Sequence, residues 1–140
     1  MTWDRDAIVP ANEKLNVSKN FNLPHSPGVK AGPLIYLSGM ISIDPDTGSL
    51  ALGTVESETR QIFANMAHLL ESNGSGLDRV VKVNAFIHDM LEAETFNRVF
   101  REAFPAEPPA RTVCGVRLSL GAKIEIEAIA LAGNPAARTR

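Results

Sequence analysis

Between residues 55 and 72 apolar side chains recur at three- and four-residue spacing. Ile62, Phe63, Met66, Leu69 and Leu70 share a stripe with Thr59, while Glu56, Glu58, Arg60, Gln61 and Glu71 fall elsewhere, which predicts an amphipathic helix. Thr54 is placed to cap it, Glu56 and Glu58 suit its positive end, and Asn73-Gly74 predicts its stop. Phe96, Val99, Phe100, Ala103 and Phe104 form the stripe of a second helix, from about 91 to 104, closed by Pro105. Residues 79–88 run apolar and alternate, as a strand does. Upstream, 34–39 predicts a strand ending at a glycine, and 40–43 continues extended to the turn Asp44-Pro45-Asp46-Thr47-Gly48. Two strands thus flank a kink at Ser38-Gly39. Downstream, 111–118 and 122–131 read as a hairpin-like pair joined around Ser119-Leu120-Gly121.

The resulting order is β-β-α-β-α-β-β, with one more strand expected among the first thirty residues and both helices on one face of a single sheet, an α+β arrangement. The last strand sharpens this. Ile124, Ile126, Ala128 and Ala130 point toward the helices, whereas Lys123, Glu125, Glu127, Ile129 and Leu131 point away. A face that mixes charges with large apolar groups predicts subunit contact broken by polar clefts.

Composition narrows the function. With 140 residues, 44% hydrophobic and 21% charged, the chain is expected to form one ordinary globular domain. A formal net charge of −2 and scattered basic residues offer no footprint for nucleic acid. No apolar run reaches the length of a membrane span or a signal peptide, and Cys114 is the only cysteine, so a cytoplasmic protein without disulfides is expected. The polar stretch 133–140 is expected to fray. His25, His68 and His88 stand apart without metal-ligand spacing, so no metal site is expected; His68 and His88 read as satisfied structural histidines, and Cys114 as a small buried strand residue.

Candidate chemistry gathers late in the chain. Pro108-Pro109-Ala110-Arg111-Thr112 delivers an arginine from a rigid corner to the start of a strand, and Glu125 lies on the strand that follows. Arginines in such places are most often solvated or in surface ion pairs. Arg111, between a proline corner and the apolar run Val113-Cys114-Gly115-Val116, calls for a partner or a ligand. Its guanidinium can fork two N–H groups onto a carboxylate, so a cleft shared by Arg111 and Glu125 would suit a small carboxylate substrate.

Val29-Lys30-Ala31-Gly32, Leu37-Ser38-Gly39-Met40-Ile41, Asp44-Pro45-Asp46-Thr47-Gly48, Val80-Val81-Lys82-Val83, Pro109-Ala110-Arg111-Thr112 and Ile124-Glu125-Ile126-Glu127-Ala128 follow one another in the order and spacing of a known family. The chain resembles the Rid (YjgF) family of reactive imine and enamine deaminases over residues 20–131, leaving 1–19 as an N-terminal extension and 132–140 as a tail. The resemblance implies a chorismate-mutase-like α+β fold, a homotrimer with clefts between neighbouring subunits, and no cofactor. It implies that Arg111 binds the substrate carboxylate, that Ser38 and Gly39 line the cleft wall, that Glu125 positions water, and that Asn97 matches a common site asparagine. The implied activity is hydrolysis of imines and enamines of amino acids to 2-keto acid and ammonia. The alternative is a non-catalytic trimer that binds small carboxylates or protects proteins.

Departures from the family pattern are local. His25 stands where a pocket tyrosine is usual, Met40 replaces the glutamine of Ser-Gly-Gln, Val113 replaces a frequent cysteine, and the path from Arg111 to Glu125 is one residue shorter. An ionisable, shorter ring at His25 is expected to shift selectivity away from the smallest imines.

Overall fold

The computed structural model describes residues 4–133. In chain order these form β1 (Arg5–Ile8), the short α1 (Val17–Asn20), β2 (Gly28–Ala31), β3 (Leu34–Met40), α2 (Val55–Glu71), β4 (Val80–Ile87), α3 (Ala93–Ala103), β5 (Ala110–Gly115) and β6 (Ile124–Leu131). One six-stranded sheet has the order β1-β2-β3-β6-β4-β5. Neighbours are antiparallel except β4 and β5, which run parallel.

The helices form where their stripes find the sheet. Ile62, Met66 and Leu69 of α2, with Phe96, Val99 and Phe100 of α3, are buried in one cluster with Ile35 and Leu37 of β3, Val83 and Ala85 of β4, and Ile124 and Ile126 of β6. Phe63 meets the Phe104 ring edge-on at 5.3 Å, locking the two helices together. Thr54 caps α2 reciprocally with Ser57, each hydroxyl accepting the other's backbone N–H at 3.0 Å.

Three sequence expectations are corrected by long-range pairing. Residues 111–118 and 122–131 are not a hairpin: β4 lies between β5 and β6, because α3 carries the chain back in a βαβ crossover that sets β5 parallel beside β4. Residues 41–43 are not a strand; Ile43 makes a lone bridge to Leu50, and its apolar character reflects burial at 2% exposure. The first thirty residues begin two strands rather than one, and β1 belongs to the same sheet. Glu56 and Glu58 both lie in the first turn of α2 as expected; Glu56 stays at the surface, ion-paired to Arg60 and Arg98, and Glu58 is fully buried.

Glu58 ties the loop before α2 to the entry of β6. Its Oε2 accepts the Gly53 N–H at 3.0 Å, its Oε1 accepts the Lys123 N–H at 2.9 Å, and Lys123 Nζ lies 3.8 Å away. Glu58→Ala strips both amides of a charged acceptor, and should lower unfolding free energy in urea by about 2–3 kcal/mol.

His68 is a satisfied structural histidine: its Nε2 accepts the Asn12 N–H at 2.9 Å, and Asn73 Nδ2 donates to the Val9 carbonyl at 3.0 Å, so residues 9–12 are strapped to the end of α2. His88 is exposed instead; its backbone N–H donates to the Lys123 carbonyl at 3.0 Å. Residues 134–140, most of the stretch expected to fray, lie outside the described residues. Among the described residues no helix is long and apolar enough to cross a membrane, and no cluster of three metal-ligating side chains occurs.

Candidate active site

Within β3 the register against β6 shifts between Leu37 and Met40, leaving Ser38 and Gly39 out of the regular pairing. The Ser38 N–H donates to the Pro27 carbonyl at 3.0 Å and its hydroxyl to the Ser26 carbonyl at 2.6 Å, pinning the loop that carries His25 beside the irregularity. Glu125 crosses over the same spot. A β-carbon on Gly39 would stand 2.7 Å from Glu125 Oε2, so the missing side chain is what lets the carboxylate lie on the β3 backbone. His25, Ser38, Gly39 and Glu125 line one cavity of about 550 Å³.

Glu125 is partly buried, and among the described residues its carboxylate accepts no hydrogen bond. Burial raises its pKa above the ordinary carboxylate value, and the neighbouring charge of Glu127 raises it further. An unengaged carboxylate of raised pKa beside a cleft is suited to take and return protons. Gly39→Ala should push this flexible carboxylate aside at little cost to folding while lowering turnover about 10²-fold. Thermal unfolding run beside initial rates checks both halves of that expectation.

Arg111 belongs to a second cluster. Its guanidinium stacks over the Phe100 ring at 4.8 Å and the Phe96 ring at 5.5 Å, and Nη2 donates to Asn97 Oδ1 at 2.6 Å. Asn97 Nδ2 in turn donates to Glu94 at 3.1 Å, which fixes the amide with its oxygen toward the arginine. No acidic side chain among the described residues pairs with Arg111, so this oriented cation keeps donors for a ligand. A hollow of about 250 Å³ beside it is walled by Phe104, Pro108 and Pro109.

The two clusters lie on opposite faces of the sheet. Arg111 is paired in register with Val83, and Val83 with Ala128; both partners are buried on the helix face, and Arg111 touches α3. Glu125 is out of phase with Ala128 on β6, so it points to the open face. Strand spacings put the two backbones about 14 Å apart in the sheet plane. Within one chain the two residues therefore do not share a cleft: the carboxylate follows the arginine in sequence but not in the sheet. Cys114, expected to be buried, is exposed, because β5 is an edge strand and Cys114 faces the side without helices. On that side Asn84 Nδ2 donates to Glu127 at 3.2 Å and Lys82 Nζ to Thr112 at 3.1 Å.

Sequence reasoning missed the aromatic bed under Arg111 and the apolar rim of the Glu125 cleft, made by Phe21, Leu23 and Leu120. The bed had a signal, since Phe96 and Phe100 lie one turn apart on α3, on either side of Asn97. The rim had none, because loop residues carry no periodicity.

Residues 19–132 match the family model described as Endoribonuclease L-PSP. Reactive Intermediate Deaminase A, chloroplastic, of Arabidopsis thaliana is 39% identical over 108 residues, covering 76% of this chain and 58% of that protein. The human protein named 2-iminobutanoate/2-iminopropanoate deaminase is 36% identical over 111 residues, covering 79% of this chain and 81% of its own. Among solved structures, a Yersinia pestis protein of unknown function, YyfA, described as of the conserved Rid protein family, superposes with a TM-score of 0.83 at 30% identity, covering 92% of this chain and all of that one.

Proposed function

Since the chain belongs to the Rid (YjgF) family, we propose that it hydrolyses reactive imine and enamine intermediates of amino acids to a 2-oxo acid and ammonia. The observation that carries this reading is the Glu125 carboxylate, unengaged, raised in pKa and laid over Gly39 at a cleft wall. Relatives named as imine deaminases support it.

The reading takes the working unit to be a homotrimer. Tyr36, Val81 and Leu131 are 45%, 40% and 38% exposed, all outside the helix-covered core, where a neighbouring copy would cover them. It also resolves the split site: Arg111 of one chain meets Glu125 of the next, completing a cleft that neither builds alone. A cytoplasmic setting belongs to the same proposal.

The chemistry then needs orientation more than force. A protonated imine is electrophilic at C2. Arg111, held by Asn97 and the two phenylalanine rings, fixes the substrate carboxylate, so that water meets C2 in a set geometry. Glu125 takes a proton from that water as the O–C2 bond forms, giving a carbinolamine. It then gives that proton to the amine nitrogen and takes the carbinol hydroxyl proton as the C–N bond breaks, so that C2 becomes the ketone, ammonia departs, and the carboxyl returns its proton to solvent. No electrons are transferred, and an enamine enters after protonation at C3. A ribonuclease reading gains little, because Arg60 and Arg98 are engaged with Glu56 and Glu102 rather than free for phosphates.

The test is 2-oxo acid formation from imines generated in situ by an amino-acid oxidase, compared with spontaneous hydrolysis. Acceleration is expected. A protein that binds 2-oxo acids but leaves the spontaneous rate unchanged would be the carboxylate-binding trimer instead.

A further inference from the structure

Phe21, Leu23 and Leu120 are large apolar side chains left 40%, 45% and 59% exposed, and all three line the cavity that Glu125 lines. They come from two distant loops, one after α1 and one before β6. Folding alone does not require such a rim.

Leu120 is the sharpest case. Its φ is +62°, in the left-handed region that favours glycine or asparagine, and the next residue, Gly121, is at +76°. Glycine or asparagine at 120 would make this turn with less strain, yet the chain holds leucine there with most of its surface in solvent. Strain kept at a cleft wall points to a use for the side chain. Past His25, Ser38 and Gly39 lies a second, smaller chamber of about 50 Å³, lined in part by Met40, Ile43 and Leu69.

From this geometry, and resting on the deaminase reading above, we infer that Phe21, Leu23 and Leu120 form a side-chain subsite selecting imines of amino acids with large branched or aromatic apolar side chains. With the substrate carboxylate on Arg111 and C2 beside Glu125, the side chain is the group left to meet this rim. Its burial there discriminates by removing hydrocarbon from water. A leucine-derived imine carries three more carbons than an alanine-derived one, which gives a preference of about 30-fold in kcat/KM when most of that surface is covered.

The experiment compares imines generated in situ from leucine, phenylalanine and alanine, alongside calorimetry with 4-methyl-2-oxopentanoate and pyruvate and light scattering for assembly mass. The wild-type protein should favour the leucine and phenylalanine imines by about 30-fold and bind 4-methyl-2-oxopentanoate more tightly than pyruvate. Leu120→Gly, which relieves the backbone and so keeps the fold, should cut both ratios at least fivefold, and Phe21→Ser should do the same. Equal or better turnover of the alanine imine, or ratios untouched by both substitutions, would overturn the subsite. Loss of assembly mass in Leu120→Gly with unchanged ratios would overturn it too, assigning the leucine to contact between chains. If no imine is turned over but the binding preference exists and falls in Leu120→Gly, the subsite stands and the deaminase reading fails. Absence of both turnover and 2-oxo acid binding would end both.

Discussion

Glu125→Gln should lower imine hydrolysis by roughly 10²–10⁴-fold while 4-methyl-2-oxopentanoate still binds. The amide keeps the shape of the side chain over Gly39 and can hold water, but it cannot accept the proton that water must lose. Folding should not suffer. A carboxyl whose pKa is raised in the folded protein binds its proton more tightly there than in the unfolded chain, so its stabilising contribution is present at low pH and is lost as pH rises through the folded value. At neutral pH Glu125 therefore costs stability, and Glu125→Gln should unfold at the same or a higher urea concentration than the wild type. The wild-type rate should rise with pH along a limb displaced above the ordinary carboxylate range, and that limb should vanish in the variant. Full activity in Glu125→Gln would require a different base.

What makes Glu125 costly is also what made it only partly legible. Its place on an alternating strand could be read from Ile124, Ile126 and Ala128, which are buried as the pattern requires. Its contact with Gly39 could not, because β3 and β6 meet across most of the chain. The same division holds through the fold. Helices α2 and α3 and strand β4 are marked by long periodic runs with local punctuation, Thr54 before α2 and Pro105 after α3, so their existence follows from neighbouring residues alone. Strand order is decided elsewhere. Two apolar runs joined by a short glycine turn look alike whether they pair or are separated, and only the helix preceding β5 distinguishes the βαβ crossover from a hairpin.

Side-chain environment was the least legible. An acid at a helix start reads as a surface charge near the dipole, yet of Glu56 and Glu58 one is paired at the surface and the other is fully buried on two backbone amides. Cys114 looked buried because its neighbours are apolar; its exposure follows from β5 lying at the sheet edge with its outer face uncovered. Arg111 and Asn97 were visible as chemistry, but which face of the sheet they occupy depends on the register with Val83.

That register sets the last prediction. With Arg111 as the proposed carboxylate clamp, Arg111→Ala should weaken binding of 4-methyl-2-oxopentanoate by about 10- to 100-fold and make turnover undetectable, because a charge-assisted, forked contact would be lost from every carboxylate-bearing state. Arg111→Lys should fare little better, since an ammonium cannot reproduce the planar fork stacked on Phe96 and Phe100. Neither variant alone tells which chain supplies the arginine. In the proposed trimer a working site takes them from two different chains, because they face opposite sides of their own sheet, and the inactive variants should rescue each other. When Arg111→Ala and Glu125→Gln chains are co-refolded in equal amounts, random assembly puts an intact arginine from one chain against an intact glutamate of the next at about one quarter of the interfaces of a cyclic trimer. Activity should then return to about that fraction of the wild-type value, well above the residual rate of either preparation alone. A mixed sample that forms hybrid trimers and stays inactive would mean that no site takes Arg111 from one chain and Glu125 from the next.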